Sequence, residues 1–310
     1  MLKYFSALAT AALLGLPPAA EAQIQLPGAN YRSAPASRPA SAPAPSGSSR
    51  SRPRSGSHSS DGPPAAKPVK LDPPSEDTLA GKTLMHLGRR GSLRFEKAAS
   101  GLALTQIKLG GDVISKPGET CEFEIPGGPY PVKFTGFAEG LRKYNVEVNS
   151  CPFSFTVLDG AIVATYGKAT ASTGLGAGTC QFEKKDCRGY LAGFWGPSGR
   201  SIGKSSYRLI EKARGKSEKD ARANFRALLR AAQGNKQRVR DVAADQAGFS
   251  ARREERCRDF LREHVHGFCA SRVTEARAIQ LGAKLNEMIK IRSAEYEHMK
   301  KEREAKRRNR

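Results

Sequence analysis

The chain has 310 residues, 52 of them Lys or Arg against 30 Asp or Glu, for a formal net charge of +22. An excess of that size speaks to association with anionic partners and not to fold. No apolar stretch reaches the roughly 20 residues that a membrane-spanning helix needs, so the pattern excludes a helical integral membrane protein.

Residues 1–22 read as a secretory signal. Lys3 precedes an apolar run from Phe5 to Leu16, and Ala20-Glu21-Ala22 follows. A basic start, an apolar core and an Ala-x-Ala ending are the three parts of such a signal. That run spans about 18 Å as a helix, short of a hydrocarbon core of about 30 Å. Cleavage between Ala22 and Gln23 is expected, which sends the mature protein to the periplasm or out of the cell. No Cys adjoins the cleavage point, so no lipid attachment is expected there.

Residues 23–83 read as a disordered Pro/Ser/Ala-rich linker. From Ser33 to Lys70 there is no aromatic residue, and Val69 is the lone large aliphatic. Such a composition cannot bury enough apolar surface to offset its ordering entropy.

Residues 84–207 show period-two patterning broken by Gly and Pro. Strands are expected at Ser92–Lys97, Leu104–Leu109, Thr120–Ile125, Val132–Phe137, Tyr144–Asn149, Phe153–Leu158 and Ala161–Tyr166. Gly110-Gly111-Asp112, Pro126-Gly127-Gly128-Pro129 and Asp159-Gly160 are the expected turns, the last a type I′ hairpin signal. Short strands at this spacing suggest a small antiparallel sandwich or barrel.

Residues 208–289 change to helical period. Ser217 with Asp220 resembles a capping box, with Ala221, Phe225, Leu228 and Leu229 on one face. A second helix is expected from about Asn235 and a third from about Cys269, with Gly267 between them. The pair reads as an antiparallel hairpin. Residues 290–310 form a basic tail in which the apolar stripe stops. Lys300, Lys301, Arg303, Lys306, Arg307, Arg308 and Arg310 are its candidate anion-binding residues. The Glu297/Lys301 and Glu302/Lys306 pairs support a helix that frays at its end.

Six cysteines follow the signal. In an exported protein an even count favours disulfides over metal or thiol chemistry. Fifteen pairings are open, and sequence separation suggests Cys121–Cys151, Cys180–Cys187 and Cys257–Cys269. The last would staple the helical hairpin, contributing about 3 kcal/mol by chain entropy.

The helical region resembles the lysozyme-inhibitor LprI-type N-terminal domain family. The resemblance rests on Phe225-x-x-Leu228-Leu229, Gln246-x-x-Phe249-x-x-x-Arg253-x-x-x-Cys257, Phe268-Cys269 and Thr274-x-x-Arg277-x-x-x-Leu281. It implies an exported, non-enzymatic helical module in which two Cys bracket the loop between helices. It also raises inhibition of a lysozyme as an activity. Against that, lysozymes are typically cationic, and a +22 chain repels them at long range unless its negative charge is locally concentrated. Glu254, Glu255 and Glu263 are the local candidates.

No constellation argues for an enzyme. Cys257, His264, His266 and Cys269 invite a zinc reading, which yields to pairing of the thiols. Thr173 to Gly178 has alternating glycines but no Lys-Ser/Thr ending, and Gly196 to Ser201 lacks the order of a nucleophile elbow. Trp195, Phe194 and Tyr190 suggest a stacking platform or, more simply, the covered edge of a core. Glu122, Glu124, Glu139 and Glu147 supply carboxylates on solvated strand positions.

The fold class expected is therefore α+β: a small disulfide-bearing antiparallel β module and an α-helical hairpin, preceded by a disordered linker. The function expected is a non-enzymatic binding module of the bacterial cell envelope that needs no cofactor. Its partner is an anionic envelope polymer or an envelope protein, and not specific nucleic acid. Lysozyme inhibition is the alternative.

Overall fold

A computed structural model describes residues 68–99, 101–148, 152–166 and 182–309. The expected signal, most of the linker, the glycine-rich stretch 173–178, Cys151, Cys180 and Arg310 lie outside the described residues.

Among the described residues eleven strands precede the α-helices: β1 (Thr83–His86), β2 (Arg90–Ala98), β3 (Gly101–Val113), β4 (Thr120–Ile125), β5 (Tyr130–Ala138), β6 (Leu141–Val146), β7 (Phe153–Leu158), β8 (Ala161–Tyr166), β9 (Phe182–Lys184), β10 (Cys187–Gly189) and β11 (Gly193–Gly196). Their order is β2-β1-β11-β8-β7-β6-β5-β3, and β3 pairs again with β2. This closes an eight-stranded antiparallel barrel and corrects the expectation of a small β module. Closure removes the unpaired edges that an open sheet would expose. The strands absent from the sequence reading, β1 and β9 to β11, have only three or four residues each and no clear alternation.

Inward positions alternate as a barrel requires. Leu93 and Phe95 of β2, Phe153, Phe155 and Val157 of β7, and Ile162 and Ala164 of β8 fill the interior with Trp195 of β11. Along β3 the inward residues are Leu102 and Leu104, then Ile107 and Leu109. The change of parity falls where Arg94 pairs Gln106 and Phe95 pairs Leu104, a bulge that leaves Thr105 unpaired with β2. The Asp159-Gly160 hairpin forms, with Leu158 opposite Ala161 and Gly160 at φ +68°, but Asp159 lacks the positive φ that the expected type I′ turn requires, so that turn type is corrected.

Gly110-Gly111 does not turn the chain. Both lie inside β3, where β4 pairs along one edge and β10 along the other. A Cβ at Gly111 would strike the Arg188 carbonyl oxygen of β10. The glycine serves close backbone approach, its other use in a strand. The sheet coils so tightly there that Cys121 of β4 and Cys187 of β10 are joined across β3, with Cα atoms 5.9 Å apart. That bond corrects the suggested Cys121–Cys151 and Cys180–Cys187 pairings. Sequence separation disfavours a 66-residue loop, whereas β3 brings its ends together.

Five helices follow: α1 (Lys204–Ala232), α2 (Lys236–Ala247), α3 (Phe249–Cys257), α4 (Glu263–His266) and α5 (Phe268–Arg308). α1 starts well before Ser217, which sits within it. Residues 204–216 are too polar to display a helical stripe, and only Ile210 among them is buried. Asn235 caps α2 by accepting from the Arg238 amide, and Cys257 is bonded to Cys269. α2 and α3 run antiparallel to α5: Arg238 meets Glu295, Asp245 meets Lys284, and Arg253 meets Thr274. α1 runs parallel to α5, since the Ile210 carbonyl accepts from Ser271 and the Ala231 carbonyl from Arg292. The expected hairpin is thus two sides of a three-helix bundle.

The bundle packs on the barrel exterior. Leu158 and Ala161 of the β7–β8 hairpin, Phe194 of β11, Phe260, Phe268 and Val273 form a second apolar cluster. Phe194 meets Phe260 edge-to-face at 5.4 Å, and Leu261 N donates to Leu87 O at 2.9 Å. Asn224, fully buried in α1, accepts from Val69 N at 2.8 Å and donates to Ala278 O at 3.1 Å. It thereby ties the residues that enter the barrel to both long helices.

Candidate anion-binding surface

Residues 204–310 hold 29 Lys and Arg against 15 Asp and Glu, so the helical third of the chain carries +14 of the +22. α5 has 41 residues, yet its last buried side chain is Leu285. Beyond it the helix continues for some six turns against little of the bundle. Two contacts anchor its base. Arg238 of α2 donates two hydrogen bonds to the Glu295 carboxylate, at 2.7 and 3.3 Å. Arg292 donates to Ala231 O at 3.1 Å, closing the C-terminal end of α1. The hydrogen bonds from Arg238, with the charges of Arg238 and Arg292, hold the Glu295 carboxyl below its ordinary range.

Past this anchor Lys300, Lys301, Arg303, Lys306, Arg307 and Arg308 are all exposed on the helix, which runs to Arg308. Spacings of three and four residues place side chains on one helical face. Arg292, Tyr296, Lys300, Arg303 and Arg307 follow that spacing and form a stripe about 22 Å long. Glu295 and Glu302 fall to one side of it, and Glu297 and Glu304 to the other. The stripe is therefore a cationic face free of carboxylates, with half-exposed Tyr296 in it and Met299 beside it. Periodicity makes it legible only once the helix is known to continue, because the apolar pattern ends at Ile289.

The other candidate residues are engaged elsewhere. The Cys257–Cys269 bond takes both thiols of the zinc constellation. His266 is buried, its Nε2 donating to Leu261 O at 2.9 Å and its Nδ1 accepting from Phe268 N at 3.2 Å, while His264 is exposed. Among the described residues no group of three or more His, Cys, Asp or Glu is placed to hold a metal ion. Glu263 accepts from the Cys269 and Ala270 amides, at 3.0 and 2.7 Å, so it caps α5. Negative charge at the start of a helix complements its dipole. Glu254 and Glu255 are exposed on α3.

Trp195 and Phe194 are fully buried on opposite faces of β11, one in the barrel and one under the helices, so they form no stacking platform. Glu122 accepts from Gly91 N and pairs with Lys108 at 2.5 Å; hydrogen bonds from Lys108 and then Gly91 lower its pKa against some desolvation. Glu124 accepts from Gln106, Glu139 pairs with Lys284, and Glu147 is exposed.

The described residues contain no helix long and apolar enough to cross a membrane, and the two disulfides are compatible with an extracellular or periplasmic protein. No protein-family model matches the chain, and neither does any curated protein or any solved structure.

Proposed function

We propose that this chain is an exported, non-enzymatic binding module of the bacterial cell envelope, released from its signal between Ala22 and Gln23. Its disulfide-bonded barrel and bundle form the body, and the α5 extension engages anionic envelope polymer. The carboxylate-free stripe of Arg292, Lys300, Arg303 and Arg307 is the observation that carries this reading. A repeated polyanion offers charges along a line, and a rigid helix meets several at once with little loss of backbone entropy. Such binding releases counterions and weakens steeply as salt rises.

The test is retention of the mature protein on purified cell envelopes at graded salt. The Lys300→Gln/Arg303→Gln/Arg307→Gln variant should elute at clearly lower salt than the native chain, as should a chain ending at Ile289. Equal elution of all three would overturn the reading.

Inhibition of a lysozyme is a second reading, favoured by the Cys257–Cys269 bond at the α3–α5 connection. That bond sits where the LprI-type family brackets its inter-helix loop. A turbidity assay on a peptidoglycan suspension tests it, and undiminished lysis at excess protein rejects it.

A further inference from the structure

Between the outer face of the barrel and helices α2, α3 and α5 lies a cleft of 370 Å³. Small-molecule sites typically fall between about 300 and 1,000 Å³. Its base is apolar: Leu141, Leu158 and Val163 come from the barrel, and Val273 and Ala276 from α5. Its cations are Arg252 and Arg256, both exposed, Arg253 and Lys284, half-buried, and Arg277, buried; only two carboxylates line it with them, Asp245 and Glu139.

One of those carboxylates, Asp245, is shared among three cations. Asp245 receives Lys284 at 2.9 Å, Arg277 at 3.0 Å and Arg252 at 3.2 Å. Burial opposes its charge, but hydrogen bonds from Lys284 and Arg277 outweigh burial and lower its pKa. Glu139 adds a second partner for Lys284 at 3.1 Å, and Arg253 pairs with Glu218 at 3.5 Å. Arg277 and Arg253 also lie over the Phe249 ring, at 5.4 and 5.6 Å, which fixes the inner wall. Arg256 has no carboxylate within ion-pair distance among the described residues. A guanidinium lining a cleft beside a second, half-satisfied one is a ready partner for a carboxylate or phosphate, which it meets with a planar fork of donors.

We propose that this cleft binds a small amphiphilic anion, with its carboxylate or phosphate head at Arg252 and Arg256 and its apolar body against Val163 and Val273. The site is separate from the α5 extension, none of whose basic residues lines it. The arrangement leaves surplus positive charge beside a largely buried apolar wall on which Val163 is half-exposed.

Titration calorimetry on the mature protein separates the possibilities, with octanoate, octyl phosphate, octanol and inorganic phosphate as probes. Octanoate, octyl phosphate or both should bind, and the preference between them identifies the head group. Octanol and inorganic phosphate should each bind at least about tenfold more weakly, since each lacks one half of the recognition. Arg252→Gln/Arg256→Gln should weaken the anionic amphiphiles by about tenfold or more. Both residues are exposed, so the fold should survive, as unchanged Trp195 fluorescence would report. Neutralising Lys300, Arg303 and Arg307 should leave this affinity unchanged even where it abolishes envelope retention. Equal binding of octanol, undiminished binding by the Arg252/Arg256 variant, or amide resonances of Val163 and Val273 that do not move on octanoate addition would each overturn the proposal.

Discussion

Substituting alanine at two glycines should move stability in opposite directions. Gly111 is buried inside β3, and an added Cβ overlaps the Arg188 carbonyl oxygen and lies 2.8 Å from Gly189 Cα. Both are backbone atoms of β10, so no side-chain rotation relieves the clash. β10 has only three paired residues and must retreat, breaking its Arg188/Asp112 and Gly189/Gly111 pairings. The loss of about two ladder hydrogen bonds at about 1 kcal/mol each adds to an overpacking cost of about 1–3 kcal/mol. Gly111→Ala should therefore destabilise by about 3–5 kcal/mol. Gly215 is exposed within α1 with nothing within 4 Å of its added Cβ. Gly215→Ala should stabilise by about 1 kcal/mol through helix propensity. Urea unfolding reads both, because the single Trp of the chain, Trp195, is fully buried in the barrel and donates to Leu191 O at 2.7 Å. A Gly111→Ala loss below about 1 kcal/mol would show that the sheet yields easily there and would refute the close-approach account.

Other consequences are as direct. Peptide mapping without reductant should recover Cys121 joined to Cys187, and Cys121→Ser/Cys187→Ser should cost about 4 kcal/mol by loop entropy, against about 3 for Cys257→Ser/Cys269→Ser. Asn224→Ala should cost about 2 kcal/mol and remove hydrogen-exchange protection at the Val69 amide; retained protection would show another anchor for that segment. Burial of His86, with a smaller contribution from Arg90, lowers its pKa below 6.5 against its bond to Ala192 O. The unfolded chain then binds that proton more readily, so stability is full above the unfolded value of about 6.5 and falls as pH drops towards the folded one. His86→Gln should flatten that part of the pH profile, and an unchanged slope between about pH 7 and 5 would exclude His86 as its source.

Legibility followed range. Strands β4, β7 and β8 coincide with the expected Thr120–Ile125, Phe153–Leu158 and Ala161–Tyr166 because alternation and flanking turn residues are local signals. Gly110-Gly111 misled because glycine marks a turn and a backbone crossing equally well. α1 lost its first turns because its first half buries almost nothing. In the anion-binding surface the basic residues were plain, but not their sorting onto one face. The cleft left only Arg252/Arg256 at i,i+4 as a trace, and such a pair on a polar helix normally means a solvated face.

Local sequence was enough to set the periods, the Asp159-Gly160 hairpin, the Asn235 cap and the surplus of positive charge. The first three depend on neighbours within a few residues, where backbone sterics and side-chain spacing act, and the last on composition alone. Folding in three dimensions was needed to close the β part through β2–β3 and to bring Cys121 to Cys187. It was needed also to open two arginines of α3 onto an apolar base from β6 to β8. Those outcomes join residues tens of positions apart. They are set by how twisted strands close and which faces remain to be covered, and no local pattern records either.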